Sequence, residues 1–213
     1  STGETFEESY DKLLLSPGAK PTQPELPGVG QVFTLRTVED TLRIHEFVKT
    51  HHPRSVVLAG GGFISLEMAE NLRELGMEVT MVQRPKQLMN PFDPEMASFI
   101  HAKMRKKGVR LLLGHTVEGF EEAPGGVRVL LKGAEPLEAE LVVLAIGVTP
   151  DTQLAKEAGL ELGVKGSIAV NDRMETSVPD IYAVGDAVQV QHFVTGEHTL
   201  ISLAGPANKQ GRI

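Results

Sequence analysis

The sequence predicts an α/β fold built on a doubly wound, mostly parallel sheet. Three observations predict it. Between residues 54 and 146, short apolar runs rich in β-branched residues alternate with stretches of helical periodicity. A glycine triplet, Gly60-Gly61-Gly62, stands between the first of these runs and the helical stretch after it. Gly76 and Gly108 then follow two helical stretches, each just before another apolar run, where a helix must stop and a strand begin.

Taken in order, residues 10–16 (Tyr-Asp-Lys-Leu-Leu-Leu-Ser) read as a short buried strand. Pro17, Gly18, Pro21, Pro24, Pro27, Gly28 and Gly30 then exclude a helix or a central strand, so the first strand must pair with something distant. Residues 37–50 read as an amphipathic helix with Val38, Leu42, Ile44, Phe47 and Val48 near one face, ended by Pro53. Residues 54–59 form a buried strand and 63–75 a helix; 78–82 form a second strand. Pro91 and Pro94 precede a third helix over 95–107, and 109–113 is another strand. Residues 116–137 carry two alternating runs around Gly125-Gly126, as in a hairpin, and 141–146 is again a buried strand. Beyond residue 149 the pattern gives a helix over 151–158, short strands near 168–170 and 181–184, and the start of a helix over 203–213.

Composition narrows the function. The chain has 213 residues, 41% of them hydrophobic and 23% charged, enough for a core without disulfides or metals. A net charge of −7 argues against nucleic acid or an anionic membrane as partner. The absence of Cys excludes a disulfide framework, a thiolate metal site and a thiol nucleophile in this chain, and no catalytic residue is assigned within it. No apolar run approaches the ~20 residues of a membrane span. The first residues lack the basic and apolar regions of a signal peptide, so a cytoplasmic location is expected. The seven His residues show no metal-ligand spacing, and no metal is expected. His51 and His52 are expected to be solvated in a loop. His101, Lys103, Arg105, Lys106 and Lys107 crowd one helix, where basic residues suit the negative end of the dipole without any ligand.

The chemistry-bearing motif is Gly60-Gly61-Gly62-Phe63-Ile64-Ser65, between a strand and a helix. A dinucleotide pyrophosphate needs that placement. The first glycine permits the tight turn, the second lets backbone approach the phosphates, and the helix N-terminus offers unpaired N–H groups and a positive dipole end. The third position wants a small residue for close helix–strand packing; here it is Ser65. A glycine-rich turn without a ligand has the same local sequence, and its position after a strand and before a helix favours the Rossmann-like reading. The nucleotide ribose meets the end of the next strand, at Gln83, where no carboxylate stands. Arg84, with Lys86, can pair with a 2′-phosphate and favour NADPH over NADH, or both can be a solvated turn.

A second motif, Thr176-Ser177-Val178-Pro179-Asp180-Ile181-Tyr182-Ala183-Val184-Gly185-Asp186, reads as a turn, a short apolar strand and Gly-Asp. A carboxylate at the carboxyl end of a buried strand is placed to accept hydrogen bonds from ligand hydroxyls; an Asp capping the next helix has the same local pattern.

This motif resembles the second FAD motif of the pyridine nucleotide-disulfide oxidoreductases, in which the Asp binds the ribityl chain of the flavin; the resemblance gives that role to Asp186, beside Gly185. The turn from Gly60 to Ser65 is similar to the family's NAD(P)H-binding loop, Glu67 occupies its usual Glu position, and Phe63 matches an aromatic that lies over the flavin where nicotinamide docks. Ala145-Ile146-Gly147-Val148-Thr149-Pro150 resembles the closing motif of the family's NAD(P)H domain, and residues 10–21 resemble the strand and turn ending the first FAD segment. The tail from Leu203 to Arg212 is similar to a stretch in the coenzyme A-disulfide and persulfide reductase branch.

The resemblance implies an internal fragment: residues 1–31 ending a first FAD-domain segment, 32–148 as the NAD(P)H-binding domain with a β-meander, and 149–213 as a truncated second FAD segment. It implies NADPH or NADH and FAD as cofactors, a small disulfide or persulfide such as CoA-disulfide as acceptor, and a homodimeric parent. The redox-active Cys lies outside this chain, so the fragment alone is expected to be inactive. Two alternatives stand beside it: a related NADH oxidase or peroxidase, and a non-catalytic dinucleotide-sensing module, which has no need of a flavin contact at Asp186.

Overall fold

The computed structural model describes residues 3–213. The chain divides into two compact units, one of Pro21–Gly147 and one combining the residues up to Lys20 with Val148–Ile213. Two short strands, β1 (Leu13–Leu15) and β2 (Ala19–Pro21), begin the chain's regular structure. β1 is shorter than the apolar run predicts, because only three residues find a partner.

Within Pro21–Gly147, α1 (Val38–His51) starts at a capping box. Thr37 Oγ1 accepts the Asp40 N–H at 3.2 Å, and the Asp40 carboxylate accepts the Thr37 N–H at 3.1 Å. The helix takes in His51, which stacks on Phe47 with ring centroids 4.4 Å apart, and it ends at His52 in a left-handed conformation. His51 is therefore helical rather than in a loop. The apolar stripe of α1 is narrower than its sequence suggests: Ile44, Phe47 and Val48 pack inward, whereas Val38 and Leu42 face solvent.

The chain then alternates through β3 (Ser55–Ala59), α2 (Phe63–Glu74), β4 (Glu78–Gln83), α3 (Pro94–Lys106) and β5 (Arg110–Leu113). Gly76 and Gly108, both at positive φ, turn the chain after α2 and α3. An antiparallel meander follows, of β6 (Val117–Ala123), β7 (Gly126–Leu131) and β8 (Leu137–Ala139), and then β9 (Leu141–Leu144).

Four strands make a parallel sheet in the order β5-β4-β3-β9. Its residues alternate between two cores. Val56, Leu58, Met81, Leu141 and Val143 pack with Ala69 and Leu72 of α2 on one face. Val57, Ala59, Val82, Val142 and Leu144 pack with Phe120 and Val129 of the meander on the other. Both faces are covered, which is why these strands read as unbroken apolar runs. The chain moves outward from β3 to β5 and returns by the meander to β9, on the far side of β3. The crevice at the carboxyl ends of β3 and β9 is thus the topological switch point, where open α/β sheets bind ligands.

The second unit continues with β10 (Val148–Pro150), which pairs with β2, and a short α4 (Gln153–Glu157). β11 (Ile181–Ala183) pairs in parallel with β1, Leu13 opposite Ile181. The distant partner that the first strand requires is therefore β11. The strand predicted near 168–170 is absent: Ile168 makes only single bridges to Leu162 and Val188. β12 (Val190–Gln191) and β13 (His198–Thr199) form a small hairpin, and α5 (Ala204–Gln210) ends the described structure's regular elements. Among the described residues, no helix is long and apolar enough to cross a membrane.

Candidate functional site

The glycine turn joins the carboxyl end of β3 to the N-terminus of α2. Gly60 has φ +124, and a Cβ there would overlap the carbonyl group of Ala145, just beyond β9. Its N–H bonds to the Val82 carbonyl at 2.8 Å, and the Ala145 N–H bonds to the Ala59 carbonyl at 2.7 Å. The first glycine therefore lets the chain turn between two flanking strands. Gly61 is buried, and a Cβ on it would stand 2.8 Å from Leu88 Cδ2 and 2.9 Å from the Gln83 amide carbon. Gly62 is different. It is the exposed N-cap of α2, and a Cβ on it would meet nothing within 4 Å. It offers no side-chain cap, so the first N–H groups of α2 and the positive end of its dipole are open to an anion.

Phe63 and Ile64 open α2. Phe63 is half exposed and meets Phe92 edge-on, with centroids 6.5 Å apart. Glu67, one turn further, is also exposed, so the two share an outward face. Ser65 has no exposed surface, and its hydroxyl lacks a hydrogen-bond partner. A small residue is needed there for α2 to approach the sheet; the hydroxyl itself is unused.

Gln83 ends β4, its amide directed along the following loop to the Gln87 carbonyl at 3.4 Å. Arg84 and Lys86 are exposed on that loop. Sequence reading passed over what anchors it. Leu88 and Met89 are buried, Met89 at φ +49, and the Met89 N–H bonds to the Gly61 carbonyl at 2.8 Å. The Leu88 N–H donates to His101 Nε2 of α3 at 3.0 Å. His101 is thus not simply one of a row of basic surface residues: its ring faces inward, and burial, then Arg105, hold its pKa below the ordinary imidazole value. Gly147, at φ +127, closes this unit after β9 and accepts the Thr22 N–H at 3.0 Å.

In the other unit, β11 leads through Val184 into a single 3₁₀ turn over Gly185–Ala187. Gly185 has φ +86, and its N–H donates to Gln210 Oε1 at 2.7 Å. Gln210, in α5, is a buried polar residue whose role the sequence did not signal. Asp186 is half buried within that turn. The next helix, α5, has Leu203 as its N-cap, so Asp186 does not cap it. Among the described residues no group of three or more His, Cys, Asp or Glu is placed to hold a metal ion.

Residues 1–211 match the family described as pyridine nucleotide-disulphide oxidoreductase. A curated relative, the NAD(P)H coenzyme A polysulfide/persulfide reductase of Pyrococcus horikoshii, is 37% identical over 215 residues, covering 97% of this chain and 47% of that protein. The crystal structure of reduced CoADR-RHD from Bacillus anthracis is 48% identical with a TM-score of 0.94, covering 99% of this chain and 38% of that one. A FAD-dependent pyridine nucleotide-disulphide oxidoreductase from Desulfovibrio vulgaris is 36% identical with a TM-score of 0.87, covering 99% of this chain and 54% of that one. The chain spans about half the length of the curated relatives it matches.

Proposed function

The chain belongs to the pyridine nucleotide-disulphide oxidoreductase family, and from that premise we propose that residues 32–148 are the NAD(P)H-binding part of a flavoenzyme whose FAD-domain segments include residues 1–31 and 149–213. The observation that carries the reading is the turn from Gly60 to Ser65 at the switch point of the sheet: a glycine at positive φ whose Cβ would overlap the Ala145 carbonyl, then an exposed glycine at an uncapped helix N-terminus. The open backbone at Gly62 and the first N–H groups of α2 would receive the pyrophosphate. Gln83, with Arg84 beyond it, would meet the adenosine ribose, and the Arg84 guanidinium would pair with a 2′-phosphate and favour NADPH. Phe63 and Glu67, exposed on one face of α2, would border the nicotinamide, and Gly147 would keep the chain after β9 free of side chain beside it.

Gly185 and Asp186 fit a flavin contact. The turn is held in place by Gln210, and its carboxylate follows the carboxyl end of a buried strand. When bound, the nicotinamide supplies a hydride and the flavin accepts it; the protein supplies position and electrostatics. The chain contains no Cys, so reduction of a disulfide or persulfide, such as CoA-disulfide, draws its thiol from residues outside these 213. The parent is read as a cytoplasmic homodimer that does not bind nucleic acid.

The test is spectroscopic. The complete protein carrying this chain should purify with a flavin absorbance that NADH or NADPH bleaches under anaerobic conditions. A colourless protein that takes up no FAD, yet binds dinucleotide, would instead support a non-catalytic sensing module.

A further inference from the structure

His101 stands one bond away from the glycine turn's support. Its Nε2 accepts the Leu88 N–H at 3.0 Å; the next residue's N–H, that of Met89, holds the Gly61 carbonyl at 2.8 Å. The Leu88 side chain packs on Gly61, as does that of Gln83 at the start of the same loop. The loop is closed on its other side by backbone bonds from Gly114 to Pro85 and from His115 to Gln83, at 3.0 and 3.1 Å. Met89 keeps a left-handed conformation that a residue with a side chain adopts only when its surroundings fix it. Between its closures, the loop carries Gln83 and Arg84 at one end and rests on the pyrophosphate turn at the other.

We propose that His101 is a positioning residue for the dinucleotide, holding the loop from Gln83 to Met89 against the glycine turn while its ring is neutral and releasing it when the ring is protonated. This rests on the reading of Gly60 to Ser65 as the dinucleotide site.

An acceptor at Nε2 requires the neutral tautomer with its proton on Nδ1. An imidazolium has no acceptor, so protonation sets Nε2–H against the Leu88 N–H and the bond is lost. Leu88 is buried, and its amide has no water to turn to. The loop itself carries Arg84 and Lys86, Asp93 is the N-cap of α3, α3 carries Glu95, Lys103, Arg105 and Lys106, His115 follows β5, and α2 carries Glu67 and Glu70. Arg105 is the one whose charge the ring feels, and it opposes protonation, as burial does. The clasp is therefore closed at neutral pH and opens only below the ordinary imidazole value.

The experiment uses the 213-residue chain and NAD⁺, which has no 2′-phosphate to titrate. Binding is measured calorimetrically from about pH 8 to about pH 5, alongside the Leu88 amide resonance. In the unsubstituted chain the Leu88 amide should shift with the His101 ring, and affinity should fall about fivefold as the hydrogen bond is lost. His101→Gln, whose Oε1 can accept the same bond without titrating, should bind with little dependence on pH. His101→Phe should bind weakly at every pH. An equal pH dependence in His101→Gln, or a Leu88 amide indifferent to the ring's titration, overturns the proposal. Absence of binding at every pH by a folded chain overturns the dinucleotide reading and this dependence with it, while the Leu88 amide still reports whether the clasp itself titrates.

Discussion

Gly60 passes so close to Ala145 that a Cβ on the glycine would overlap the carbonyl oxygen of the alanine. The contact joins the ends of β3 and β9, the two parallel strands between which the order of strand addition reverses. At φ +124 the residue also occupies backbone space that only glycine enters readily. Gly60→Ala should therefore destabilise the chain by at least about 3 kcal/mol, read from its urea midpoint. A loss under about 1 kcal/mol would mean that Ala145 moves aside easily.

Ser65→Ala should act in the opposite direction. The hydroxyl is fully buried and unpartnered, so its removal relieves a desolvation cost without opening a cavity larger than one oxygen. Alanine is also the better helix former. An increase of about 1 kcal/mol in unfolding free energy is expected. An equal loss would show that the hydroxyl has a partner.

The fold was largely legible because the parallel sheet is buried on both faces and its strands are bounded by Pro and Gly. Each of β3, β4, β5 and β9 lies within one residue or two of its apolar run. The glycine motif was legible for the same reason: it must lie between a strand and a helix. Periodicity alone misjudged α1, because Val38 and Leu42 lie on its helical stripe but beyond the surface that the sheet covers. The His101 hydrogen bond was not legible, because a row of basic residues near a helix C-terminus is accounted for by the dipole until the loop folded against it is known. Gln210 carried no signal, since its partner is a backbone amide 25 residues away.

The His101 shift has a consequence for stability. Its folded pKa lies below the ordinary imidazole value, so as pH falls through that value the unfolded chain takes up a proton that the folded chain resists. His101's contribution is fully present above the ordinary imidazole value, begins to fall there, and is lost once pH drops through the lower folded value. Urea midpoints should fall between about pH 7 and about pH 5 more steeply for the unsubstituted chain than for His101→Gln. Equal slopes would contradict it.

Arg84→Ala should separate the two dinucleotides. If the guanidinium meets a 2′-phosphate, NADPH affinity falls about fivefold and NADH affinity stays nearly unchanged, with the difference shrinking as salt is raised. Equal small effects on both would leave Arg84 as part of a solvated turn.

The central claim is that the turn from Gly60 to Ser65 binds a dinucleotide, and the most direct measurement is a calorimetric titration of the chain and of Gly62→Ala with NADH and NADPH. Gly62 lies at φ −92 with open space around its Cβ position, so the variant should fold with a change of only about 1 kcal/mol. The account predicts saturable binding of one dinucleotide by the unsubstituted chain and affinity at least about tenfold weaker in the variant, whose methyl enters the space for the phosphates. Equal affinity in the two, or no binding by a folded chain, would contradict it.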